Sequence, residues 1–277
     1  MLNPQGHRIT RLFPGIHYAW IIIVIAGIMH MAGGSVRQAF GVLVVPLQQD
    51  MGWSPASISL GYALGSIVGA ALARWLPRAM PTTNLGYLRL LGSLWTLVRK
   101  HSVLRRVVSV QFLIFAAFIS FWSNLALLMA EPQYELGGTA VGLLALVGVV
   151  GAIAAPIAGG LSDRRGPAVV VSMGAGLVIL AFLIFGLWQG SIIGLVTGIV
   201  IMDLAVQSSQ VANQSRVYAL DPNARSRLNT IFMATMLAGG AVGAGIGGAA
   251  YAEWGWSGTC ALGVISATLA LLLSWKP

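Results

Sequence analysis

Charge is the scarcest ingredient of this chain: 8% of its residues are Asp, Glu, Lys or Arg, against roughly a quarter in a soluble domain. With 57% hydrophobic residues, that scarcity excludes an ordinary water-soluble fold. Acid is scarcer than base, 7 residues against 16. The basic residues lie between apolar runs rather than on one amphipathic surface, so no nucleic-acid partner is expected. Cysteine is nearly absent. Cys260 sits alone in an apolar segment, can form no intrachain disulfide, and reads as a small buried hydrophobe. The histidines are scattered, and the glycines from Gly243 to Gly248 lack the strand and the Lys-Ser/Thr of a phosphate loop. No nucleophile or metal-ligand cluster is visible, so neither an enzyme, a metal site nor a cofactor is expected.

Long apolar runs fill the chain instead. A transmembrane helix needs about 20 predominantly apolar residues, and eight such spans can be traced, at roughly 18 to 46, 56 to 74, 106 to 130, 140 to 161, 168 to 188, 191 to 214, 228 to 251 and 257 to 275. The expected fold is therefore an all-α, polytopic membrane helix bundle. Arg8 and Arg11 precede the first run as in a signal peptide, but the run continues from Tyr18 towards Val45, too long for a simple h-region. It reads as an uncleaved first span.

Alternating the connections between two sides puts Arg8, Arg11, Arg74, Arg78, Arg89, Arg99, Lys100, Arg105, Arg106, Arg164, Arg165, Arg216, Arg225, Arg227 and Lys276 together. Asp50, Glu131, Glu135 and Glu253 fall on the other side, with no Lys or Arg. The positive-inside rule then predicts a multi-pass protein of the cytoplasmic membrane with both termini in the cytoplasm. Between the second and third spans, Leu85, Leu88, Leu91, Trp95 and Val98 recur at helical spacing in a basic stretch. This predicts an amphipathic linker helix in the interface, with Arg99, Lys100, Arg105 and Arg106 near anionic headgroups.

Charges at mid-membrane are costly, about 2.5 to 3.5 kcal/mol on insertion scales, and tend to mark a pathway. Arg37 and Asp203 stand out. Gln207, Gln210 and Gln214 follow Asp203 at spacings of four, three and four, which puts all four on one helix face. Polar residues that only hold helices together are the alternative reading of that stripe. Asn213, about 100° round the helix from Gln214, reads as a cap at the cytoplasmic end. His30, Gly34 and Arg37 share a face of the first span, where Arg37 suits either an anion site or an interfacial contact. In the third span, Phe115, Phe118, Phe121 and Trp122 stand beside Ser120, Ser123 and Asn124, and Asn124 is the candidate solute contact. Gly239, Gly243 and Gly247 form a small-xxx-small track for close helix packing.

The connection after the fourth span reads Gly159, Gly160, Leu161, Ser162, Asp163, Arg164, Arg165, Gly166. It resembles the G-x-L-x-D-R-x-G cytoplasmic signature of the major facilitator superfamily, whose signature residues here are Gly159, Asp163, Arg164 and Gly166. A tight turn needing glycine, with a carboxylate near a helix N-terminus, is its physical sense. The resemblance implies that 106–277 form the six-helix C-terminal half of an efflux-type transporter, preceded by a cytoplasmic linker at 77–105. His17 to Trp20, Arg37, Phe40 to Val42, Pro46 and Gly52 to Ser54 make the first two helices, within 1–76, similar to the opening of oxalate/formate and monocarboxylate-type members. About four helices expected by the family are missing between the second span and the linker.

The resemblance further implies a secondary transporter of a small organic solute embedded in membrane lipid. The α-helical stripe from Asp203 to Gln214 would line the passage between halves, with Asp203 carrying a proton. A homodimer is the arrangement in which two such chains would complete that passage. The competing expectation is a truncated or chimeric membrane protein that inserts but does not transport.

Overall fold

The computed structural model describes residues 87–134, 138–147 and 151–275. Arg37, His30 and the first two expected spans lie outside the described residues. Two compact units divide the chain, Met1–Asn84 with Gly137–Gly142, and Leu85–Leu136 with Leu143–Pro277. The second unit holds nearly all described residues, and these are helical with no strand among them.

The helices are α1 (Tyr87–Lys100), α2 (Ser102–Met129), α3 (Gly138–Val147), α4 (Gly151–Arg165), α5 (Pro167–Leu187), α6 (Ile192–Ala219) and α7 (Arg225–Trp275). Among the described residues, four segments are long and apolar enough to cross a membrane: α2, α5, α6 and Pro222–Trp275. The chain is a multi-pass integral membrane protein. Its outward surface agrees, with Leu177, Leu180, Leu183, Leu187, Ile193, Leu237, Leu269 and Leu272 all exposed, a lining that lipid tolerates and water does not.

Local chemistry sets the breaks. Gly166, at φ 85 and ψ 146, ends α4 in a conformation that only glycine adopts readily, and Pro167 starts α5 where a missing N–H costs nothing. Ser191 caps α6 by accepting from the Gly194 N–H at 3.3 Å. The Asp221 carboxylate accepts from the Asn223 N–H at 2.9 Å and shapes the short 3₁₀ turn Pro222–Ala224. Helical geometry runs through α7 except at Gly255, whose φ of 61 and ψ of −150 break it. A Cβ placed on Gly258 would lie 2.9 Å from the Ala250 carbonyl carbon. Residues eight apart on a straight helix are about 12 Å apart, so the chain reverses at Gly255. The two arms of α7 are the last two expected spans.

Contacts fix the helix directions. Along α7, Gly239 meets Phe112, Gly243 meets Ala116 and Gly247 meets Ser120, so the first arm runs parallel to α2. The second arm runs antiparallel to α5, with Gly263 against Phe182 and Ser274 Oγ 2.9 Å from Ser172 Oγ. Gly174 against Ser209 and Gly198 against Phe185 make α6 antiparallel to α5. Phe121, Phe182, Phe185 and Trp256 interlock where α2, α5 and α7 meet. The Phe121 and Phe185 rings stack at 4.3 Å, and the Trp256 indole donates to the Phe185 carbonyl at 3.0 Å.

These directions give the bundle two chemically different ends. Leu97, Leu104, Val217, Ala224 and Leu228 share one buried cluster, so the neighbouring Arg99, Lys100, Arg105, Arg106, Arg216, Arg225 and Arg227 collect at one end. Glu131 and Tyr251 meet at the other, their oxygens 2.5 Å apart. Exposed tryptophans mark both ends, Trp95 and Trp275 at the basic one, Trp188 and Trp254 at the acidic one, as in interfacial aromatic belts. On α1 the residues turned to the bundle are Leu94, Leu97 and Val98. Leu91 and Trp95 point away and stay exposed, so the apolar stripe read from the sequence divides between two faces.

Candidate functional site

Helix α6 buries three polar side chains, Asp203, Ser209 and Asn213. Its packed side holds Leu195, Ile199, Met202, Val206 and Ser209, and Asp203 lies at the edge of that side, 6% exposed. Carboxylate Oδ2 of Asp203 is buried with no hydrogen-bond partner among the described residues. Gln207 and Gln210, one and two turns on, are half-buried along the same edge.

Gln214 closes the stripe at the basic end. Its Nε2 donates to Tyr218 Oη at 3.0 Å and to Asn229 Oδ1 at 3.1 Å, and Tyr218 Oη donates to the same Asn229 oxygen at 3.0 Å. The triad ties α6 to α7. Asn213 is fully buried, and its Nδ2 donates to Gln111 Oε1 of α2 at 3.1 Å, an interhelical bond rather than the cap expected from its position. Gln111, fully buried as well, escaped the sequence reading. Its one signal was an amide in the otherwise apolar run that follows Val110.

On α2, Asn124 is 2% exposed and donates to Thr259 Oγ1 at 2.9 Å, joining α2 to the second arm of α7. Trp122 lies half-buried beside Phe118, ring centroids 6.3 Å apart, and its indole N–H is buried without a partner among the described residues.

The signature stretch forms the last turns of α4. Gly159 and Gly160 are helical with open space beside them, so the turn belongs to Gly166 alone. Asp163 and Arg164 are exposed at the basic end. There Val103, Ser162, Asp163, Pro167, Ser215, Arg216 and Ala219 line an open pocket of about 400 Å³. At the other end the Glu131 carboxylate accepts from Tyr251 Oη and, at 2.9 Å, from Gln133 Nε2. Tyr134 Oη donates to the Gln189 carbonyl, and burial, then the nearby Glu131 charge, raises the Tyr134 pKa.

No group of His, Cys, Asp or Glu among the described residues is arranged to hold a metal ion. The arrangement is a buried carboxylate followed by three amides along one edge of α6.

Residues 107–277 match the family model of the Major Facilitator Superfamily. The chain is 33% identical over 213 residues to the "Uncharacterized transporter YgaY" of Escherichia coli O157:H7, covering 77% of this chain and 54% of that protein. It is 30% identical over 262 residues to the "Probable transporter SCO4007" of Streptomyces coelicolor, covering 92% of this chain and 57% of that one. The chain thus spans about half the length of the curated relatives it matches.

Proposed function

The chain belongs to the major facilitator superfamily, and from that membership we propose that it is a secondary transporter moving a small organic solute outward across the cytoplasmic membrane in exchange for protons. Members of this family are transporters and not catalysts. The observation that carries the reading is Asp203, a carboxylate near the middle of α6 whose Oδ2 is buried with no hydrogen-bond partner among the described residues. An ionised carboxylate so placed costs several kcal/mol, which favours a group that binds and releases a proton as its surroundings change.

In this reading Gln207 and Gln210 extend the pathway from Asp203, and Gln214 ends it at the basic side. Asn124 contributes through the position of α2, which it ties to Thr259. The basic end faces the cytoplasm by the positive-inside rule. Alternating access in this fold rocks two halves about a midplane site. The glycine track of α7 provides a smooth bearing against α2. Arg37 remains a sequence-based candidate for the solute pathway.

The test is reconstitution of the full chain in liposomes loaded with pyranine, with a panel of organic solutes added outside. Solute-driven proton movement is expected for the wild type and a loss of at least tenfold for Asp203→Asn. A folded wild-type chain that moves no proton with any solute supports the second reading, a membrane protein that inserts without transporting. Light scattering in mild detergent separately tests the homodimer: a dimer weakened by Asp203→Asn puts the stripe at its interface, and a monomer removes that arrangement.

A further inference from the structure

We infer that the transported solute is an organic monocation with an apolar, aromatic-compatible body, its charge set against Asp203 and its body against Trp122 and Phe118. The inference rests on the transport reading and adds the substrate's chemistry to it.

Helices α2 and α6 pack antiparallel and are pinned by the Gln111–Asn213 bond. Trp122 lies eleven residues beyond Gln111, about 16 Å along the axis and about 20° round it. Asp203 lies ten residues before Asn213, about 15 Å in the same direction because the helices oppose. The two side chains therefore reach the same depth. Trp122 stands on the side of α2 that carries Gln111, and Asp203 stands about 80° round α6 from Asn213, in the angle between the helices. The aromatic layer agrees, since Phe185 stacks on Phe121 and packs against Gly198, little more than a turn from Asp203.

Both residues carry a polar atom that nothing described satisfies, Asp203 Oδ2 and Trp122 Nε1. Buried polar groups normally find partners, so two orphans at one depth point to a ligand that the described helices do not supply. Charge chooses its sign. Within the described spans, from Val107 on α2 to Val217 on α6 and along both arms of α7, Asp203 is the only Asp, Glu, Lys or Arg in the membrane interior apart from residues at the helix ends. An anionic solute would meet a carboxylate with no described cation beside it, and a neutral one would leave that carboxylate uncompensated. A cation neutralises it and is drawn to the faces of Trp122 and Phe118 as well. The indole N–H remains for an acceptor on the solute.

Tetraphenylphosphonium, a permanent bulky cation, is the probe, and neutral triphenylphosphine oxide is its control. Equilibrium binding of the radiolabelled cation to the purified full chain in mild detergent should be saturable. Asp203→Asn should weaken it at least tenfold, Asp203→Glu should keep it within about threefold, and Trp122→Phe should weaken it about threefold. The phosphine oxide should not compete. Unchanged helicity and a monodisperse elution qualify each variant, and Asp203→Glu keeps the test valid if the Asn variant misfolds. Absence of saturable binding, equal binding by Asp203→Asn, or equal competition by the neutral control overturns the inference. If proton movement in liposomes requires Asp203 while cation binding does not, the cation reading falls and transport stands. If binding requires Asp203 and liposomes stay silent, the cation site at Asp203 stands and its role in transport falls.

Discussion

Two alanine substitutions two residues apart on α7 should act in opposite directions. Gly243 is buried against α2, and a Cβ there would lie 2.6 Å from both the carbonyl carbon and the Cα of Ala116. Those are backbone atoms, so no side-chain rotation relieves the overlap. Carbon atoms sit comfortably at about 3.5 to 4.0 Å, and the two helices must separate by about 1 Å to admit the methyl. A gap of that size forfeits a quarter to a half of the dispersion well of each contact along the track. Without a hydrophobic drive between helices in lipid, such packing is a main source of cohesion. Overpacking of this kind typically costs about 1 to 3 kcal/mol, and Gly243→Ala belongs at the upper end. Gly245 has nothing within 4 Å of its built Cβ and is exposed. Gly245→Ala should be neutral or stabilising, by up to about 1 kcal/mol from helix propensity. Unfolding in mixed micelles, followed by tryptophan fluorescence and by thermal loss of the monodisperse peak, reads both variants. Equal shifts for the pair, or an unaffected Gly243→Ala, would refute the close-packed track.

Asn124→Ala and Thr259→Val, measured singly and together, should show a coupling of about 0.6 kcal/mol and no more than about 1.7; additive single effects would deny the bond seen at 2.9 Å. Gly255→Ala should destabilise by about 1 to 3 kcal/mol, because φ 61 with ψ −150 lies in a region open essentially to glycine alone. Protease accessibility at the α7 reversal checks this, and wild-type resistance in the variant would count against it. Glu131→Gln should weaken the tie to Tyr251, and hydrogen exchange should rise at the α2 C-terminus rather than at the basic end. A uniform rise would place the network's role elsewhere.

The bundle was legible because lipid imposes a simple rule: every buried backbone group must be satisfied within the segment, so apolar length alone marks a helix. Expected spans at about 106 to 130, 168 to 188 and 191 to 214 correspond to Ser102–Met129, Pro167–Leu187 and Ile192–Ala219. Boundaries moved where a cap rather than hydropathy decided, as at Ser191 and Gly166. The sorting of basic and acidic residues was legible too, since it follows from counting crossings. The site was only half legible. Periodicity put Asp203, Gln207, Gln210 and Gln214 on one edge, but it could not say that Gln214 is occupied by Tyr218 and Asn229, nor that Asn213 bonds Gln111.

By itself the sequence determined the solvent of this protein, where the described apolar helices run along the chain, and the family whose signature its α4 end carries. Those properties are sums and periods along one chain. The tertiary structure decided which polar atoms meet, which glycines touch backbone and which face open space, and that Asp203 Oδ2 and Trp122 Nε1 are buried with no partner among the described residues. Each of these depends on two helices whose relative register no single helix encodes. It is fixed by where side chains interlock, at Phe121 on Phe185 and at Gln111 with Asn213.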